Sequence, residues 1–77
     1  PQPQGPFQGV VGEHDPPRGW FLLRGDDGND YEVLYQPGVT PITGVASEIA
    51  VGQAVGIMGW LSGTVIEAAA IEIYELP

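Results

Sequence analysis

The sequence predicts an all-β fold, a small closed barrel of five strands, and three observations carry that expectation. Across residues 51–73 (VGQAVGIMGWLSGTVIEAAAIEI), Val55, Ile57, Gly59 and Leu61 fall on one side of an extended chain, and Ala54, Gly56, Met58 and Trp60 on the other. That is the period-two alternation of a strand. Gly52, Gly56 and Gly59 punctuate the same run. Each would cost a helix interior about 1 kcal/mol against Ala, whereas in a strand glycine marks a bulge, a bend or a close backbone approach. Finally, a 77-residue chain with no cysteine buries only about 60% of the surface its unfolded form exposes. With no disulfide to brace a thin core, closing a sheet on itself is the available source of cooperativity.

The second apolar run is predicted as a further strand. Val65, Ile66, Ile71, Ile73 and Tyr74 are β-branched or aromatic, and Ser62-Gly63 is a turn signal just upstream. Residues 67–72 also contain good helix formers, and the strand reading places a bulge near Ala69. Val51-Gly52, Val55, Gly59, Ser62-Gly63, Ile66, Ala68 and Ile71 together make a pattern that resembles the last two strands of small bacterial OB-fold domains. The resemblance extends more weakly back to about Phe7. It implies a five-stranded Greek-key barrel, with at most one short helix between strands three and four.

The remaining elements follow in order. Residues 1–6 (PQPQGP) read as the end of a linker, extended and unable to pair in a sheet, which leaves 7–77 as the barrel domain. A first strand is expected over 7–13 and a loop over 14–19, where Pro16-Pro17 stops a ladder. Residues 19–24 (GWFLLR) are apolar on both faces, as in a central strand. The turn 25–29 then leads into 30–36, with Tyr31, Val33 and Tyr35 on one side and Glu32, Leu34 and Gln36 on the other. Thr40-Pro41 suits the start of a short helix through 45–49, weakened by Gly44.

Two cations, Arg18 and Arg24, stand against ten carboxylates, for a formal net charge of −8. Such a surface repels phosphate backbones and anionic membranes, and favours solubility, basic partners or high-salt conditions. No apolar run reaches the roughly 18 residues of a membrane span. Cellular location stays open on these observations.

The OB resemblance implies a ligand face on strands two and three, flanked by the loops after strands one and four. On this sequence that face comprises Arg18, Trp20, Arg24, Tyr31, Tyr35 and Trp60. Its aromatics either stack on a ligand or simply fill a thin core. Arg24-Gly25-Asp26 is explained by turn chemistry as fully as by recognition. The acidic turn 26–30 offers oxygens for calcium but lacks the distal glutamate of an EF-hand. His14-Asp15 is the one adjacent base and carboxylate; only Ser47 and Ser62 are available as serine nucleophiles, and neither sits in a nucleophile elbow. A single histidine without cysteine also fits poorly with zinc. Glu67, Glu72 and Glu75 read as a solvated edge. No catalytic residue, metal or cofactor is assigned.

Two function classes follow. One is a noncatalytic module that binds a protein partner or other domains of a parent protein. The alternative is a single-stranded nucleic-acid binder using Trp20, Tyr31 and Tyr35, which two cations support poorly. The OB resemblance implies a third option, ligand or metal binding in an envelope accessory domain. Exposed edges at 19–23 or 53–61 would also allow a homo-oligomer.

Overall fold

Alternating apolar residues build six strands in a computed structural model that describes residues 1–77. They are β1 (Gln4–Asp15), β2 (Trp20–Gly25), β3 (Asp30–Leu34), β4 (Ile42–Gly44), β5 (Ala54–Ser62) and β6 (Val65–Glu75). The strand order is β3-β2-β1-β5-β6-β4, and an additional β3–β6 pairing closes β1, β2, β3, β6 and β5 into a ring. The β3–β6 contact is parallel, while the other ring contacts are antiparallel. One 3-10 turn, Pro16–Arg18, links β1 to β2.

β1 is long because it serves two neighbours. Gly9 to Asp15 pair with β2, and Gln4 to Val10 pair with β5. Where the two halves overlap, β2 comes so close to Gly9 that an added Cβ would collide with the Arg24 backbone carbonyl. Every ring strand contributes to the core: Val11, Phe21, Leu23, Val33, Val55, Ile57, Ile66, Ile71 and Ile73 are buried, with Ile49 entering from a loop. Removing this apolar surface from water, at about 25 cal/mol per Å2, is the main force holding the ring closed.

The bulge expected near Ala69 is present. Met58 pairs with Ala70 and Gly59 with Ala68, so Ala69 is the extra residue. Glu67 and Glu72 are exposed, but on an outer face rather than at an edge, since β6 is paired on both sides there; Glu75, at the end of β6, is exposed and pairs with β5 alone.

Several expectations are corrected. The Pro/Gln leader does pair, because β1 begins at Gln4, opposite Gly59; an irregularity between Gln4 and Phe7 accommodates Pro6, which has no N–H for the ladder. The short helix expected through 45–49 does not form, nor any other helix between β3 and β5. Instead Ile42–Gly44 pairs in parallel with Ile71–Ile73, after the Pro41 carbonyl accepts a bond from the Ile71 N–H at 2.9 Å. The end of the ring is plugged by Ile49, held through Gln53, whose side chain is 2% exposed. Gln53 Oε1 accepts from the Ala50 N–H and its Nε2 donates to the Glu48 carbonyl, each at 2.9 Å. The stretches 19–23 and 53–61 are not free edges either: β2 lies between β1 and β3, and β5 between β1 and β6.

Candidate functional site

The ladder places four side chains in one row on the outside of the ring. Trp20 on β2 pairs with Leu34 on β3, Leu34 with Glu67 on β6, and Glu67 with Trp60 on β5. The next row is Leu22, Glu32, Val65 and Ser62. Alternation explains why these residues face out, because Phe21, Leu23, Val33 and Ile66 between them are buried. Leu34 is 42% exposed and Trp60 39%. Between β3 and β6, below the loop that follows β3, lies a cleft of about 460 Å3 bounded by Leu34, Val39, Pro41, Trp60, Glu67 and Ala69.

The expected ligand face is therefore divided. Trp20, Arg24 and Trp60 are on the outside, with Arg18 at the margin in the β1–β2 connection. Trp20 is half-buried; its Nε1–H donates to Glu32 at 3.2 Å, and the Arg18 guanidinium lies 5.7 Å from its ring centre. Arg18 also pairs with Asp15 at 3.4 Å. Arg24 is opposite Asp30, four residues along β2 from Trp20 and so roughly 13 Å from it.

Tyr31 and Tyr35 are not part of that face. Tyr31 on β3 and Tyr35 just beyond its end pack against the core, Tyr31 on Phe7 at 6.2 Å and Tyr35 on Phe21 at 6.0 Å between ring centres. Each hydroxyl finds a partner at the end of the ring. Tyr31 donates to Asp27 at 2.5 Å, and the Tyr35 hydroxyl is 2.6 Å from His14 Nε2. The Tyr31 hydrogen bond, with that from the Asn29 N–H, holds the Asp27 carboxyl below its ordinary pKa; the same bond pushes the Tyr31 phenol up. Burial lowers the pKa of His14 against the opposing pull of Asp15, and burial raises that of Tyr35.

These partnerships bear on the other candidate chemistries. Both Asp27 oxygens are engaged, Oδ1 by the Asn29 N–H at 2.9 Å and Oδ2 by Tyr31. No group of three or more His, Cys, Asp or Glu residues is gathered that could hold a metal ion. In the Arg24-Gly25-Asp26 tripeptide, the Gly25 N–H bonds the Asn29 carbonyl across the turn and the Asp26 N–H bonds the Gln8 carbonyl of β1. His14 and Ser47 do border a second cleft, of about 430 Å3, together with Glu48. The His14 Nε2, however, is taken up by Tyr35. No helix is long and apolar enough to cross a membrane.

Leu34, Glu32, Glu67 and Val39 belong to the outer surface but were absent from the expected face. The available signal was Leu34, an apolar residue on the otherwise polar side of its strand between Glu32 and Gln36. Glu67 gave none, because only the parallel β3–β6 contact brings it between Leu34 and Trp60. Compared with known proteins, the chain matches no family model, no curated protein and no solved structure.

Proposed function

We propose that this chain is a noncatalytic, OB-like binding module that engages a protein partner through the outer face of β2, β3, β6 and β5. The fold half of the reading is supported by the ring order β1-β2-β3-β6-β5 with its parallel β3–β6 closure, which suits a five-stranded Greek-key barrel with β4 as an addition. The observation that carries the functional half is the placement of Leu34 and Trp60, each more than a third exposed, on either side of Glu67. Large apolar side chains held rigidly on a sheet face lose little conformational freedom on binding, and tryptophan is enriched among residues that dominate interface energetics.

Single-stranded nucleic-acid binding is the second reading. Outward Trp20 and Trp60 favour it. The inward turn of Tyr31 and Tyr35 and the carboxylates of Glu32 and Glu67 beside the tryptophans weigh against it.

The module reading is tested by selecting displayed random peptides on the immobilised domain, with counter-selection on a Leu34→Ser/Trp60→Ser variant. Peptides that bind the domain and not the folded variant are expected. A selection that yields none dependent on this face removes the reading.

A further inference from the structure

We infer that the segment recognised by this face is basic and carries a bulky apolar residue, which seats in the cleft over Ala68 and Ala69 while a neighbouring arginine or lysine meets Glu67; this rests on the interaction-module reading. The cleft has a structural origin. One edge of β6 pairs with β3 at Val65, Ile66 and Glu67, and with β4 at Ile71, Glu72 and Ile73. Neither strand pairs with the three alanines between them. The small side chains of Ala68 and Ala69 give the cleft its depth, Leu34 and Trp60 give it apolar walls, and Val39 and Pro41 stand at its rim. Its volume of about 460 Å3 is near the low end of the roughly 300–1,000 Å3 of small-ligand sites. That is room for one or two side chains, with the rest of a partner lying across the face.

The sign of the partner comes from the charges around that cleft. The chain has ten carboxylates and two cations, and its one ion pair is Arg18–Asp15. Glu67, within the cleft wall, and Glu32, in the adjoining row, therefore form no ion pair within this chain, although Glu32 accepts a bond from the Trp20 Nε1–H. A partner that covered these carboxylates without supplying a positive charge would strip their water and return nothing, which is costly. Acidic and neutral segments are rejected by that cost. A second copy of this chain brings another net charge of −8 and is repelled in the same way. Arginine fits the position best, since its planar guanidinium can meet the Glu67 carboxylate while stacking on the adjacent Trp60 ring.

The peptide selection separates this inference from the reading beneath it. Sequences that depend on Leu34 and Trp60 should be enriched in arginine or lysine next to leucine, phenylalanine or tryptophan. A synthetic peptide of the enriched sequence, titrated by anisotropy, should bind about 30-fold more weakly to Trp60→Ser, the loss typical of an interface hot spot. It should bind about 2–5-fold more weakly to Glu67→Gln, as for a partly exposed ion pair, and that difference should shrink in high salt. Glu67→Lys should reverse the preference, favouring the same peptide with its cations replaced by glutamate. Glu67 is exposed, and circular dichroism confirms that each variant is folded. Face-dependent peptides without cation enrichment, or affinities insensitive to Glu67 and salt, would overturn the basic-partner inference and leave the module reading standing. An absence of face-dependent peptides would overturn both.

Discussion

Ile66 and Ile71 both point into the core, at 0% and 1% exposure, although they lie five positions apart on one strand. In an unbroken strand an odd separation puts one of the two on the opposite face. Ala69 absorbs the difference as the extra residue in the β5–β6 register, so Ile66, Ile71 and Ile73 all reach the core. The same bulge lies where β6 passes from β3 to β4. One local irregularity thus serves both the core and the cleft.

The bulge requires close approach from β5. Gly59 pairs with Ala68, and an added Cβ there would collide with the Glu67 backbone carbonyl, which cannot swing aside as a flexible side chain would. Gly59→Ala should lower stability by about 1–3 kcal/mol, the usual cost of forcing atoms into a filled site. Urea unfolding followed by tryptophan fluorescence measures it. An unchanged midpoint would mean that the two strands part easily and that the bulge is not tightly specified.

Gln53 holds the loop that seals the ring. Gln53→Leu keeps much of the volume but orphans the Ala50 N–H and the Glu48 carbonyl, at an expected cost of about 1–3 kcal/mol. Gln53→Glu should show a distinctive pH dependence. A carboxylate could still accept from Ala50 but would face the Glu48 carbonyl, so its folded pKa should be raised. A raised folded pKa means that the folded form binds protons more tightly, so this variant should gain stability relative to the parent as pH falls from 7 toward 5. Parallel denaturation curves for variant and parent across that range would contradict the contact.

How much of this was legible in the sequence depends on the range of the interaction. The alternation of Val55, Ile57, Met58 and Trp60 and the bulge near Ala69 were readable because they follow from local periodicity and composition. Tyr31 and Tyr35 were on the inward side by the same alternation, in step with Val33. Family resemblance nevertheless grouped them with outward Trp20. The helix expected after Thr40-Pro41 gave way to β4 because the far half of β6 offered a ladder, a long-range partner that no local window shows. Gln53 was unreadable for a similar reason: nothing local distinguishes a solvated glutamine from one whose amide pairs with the backbone of a returning loop.

His14 should make stability depend on pH in a defined window. Its folded pKa is below the ordinary 6.5, chiefly through burial, with Asp15 acting in the opposite direction. Below about 6.5 the unfolded chain takes up a proton that the folded chain resists. Stability is therefore expected to fall as pH drops through 6.5, and to level off once the folded histidine also titrates. His14→Asn removes this component, and the difference between the two proteins between pH 7 and pH 5 isolates it from the carboxylates. Titration of the His14 ring protons by NMR should give a midpoint under 6.5. A midpoint above it would show that Asp15, rather than burial, governs the site.

The two function classes divide on one solution measurement, the anisotropy of labelled single-stranded DNA or RNA titrated with the domain at low salt. Stacking on Trp20 and Trp60 would be worth about 1–3 kcal/mol per base. Phosphates approaching those rings would meet Glu32 and Glu67 on the same face, with Arg18 already shared between Asp15 and Trp20. The expected result is no binding, even where screening is least and any phosphate attraction is strongest. The charge-reversed variant Glu32→Lys/Glu67→Lys supplies the control, since it keeps both tryptophans while replacing repulsion by attraction. Weak, salt-sensitive binding should appear in it and not in the parent. Binding by the parent that is lost in Trp20→Ala and Trp60→Ala would instead make the outer face a nucleic-acid platform, and would mean that stacking outweighs the carboxylates beside it.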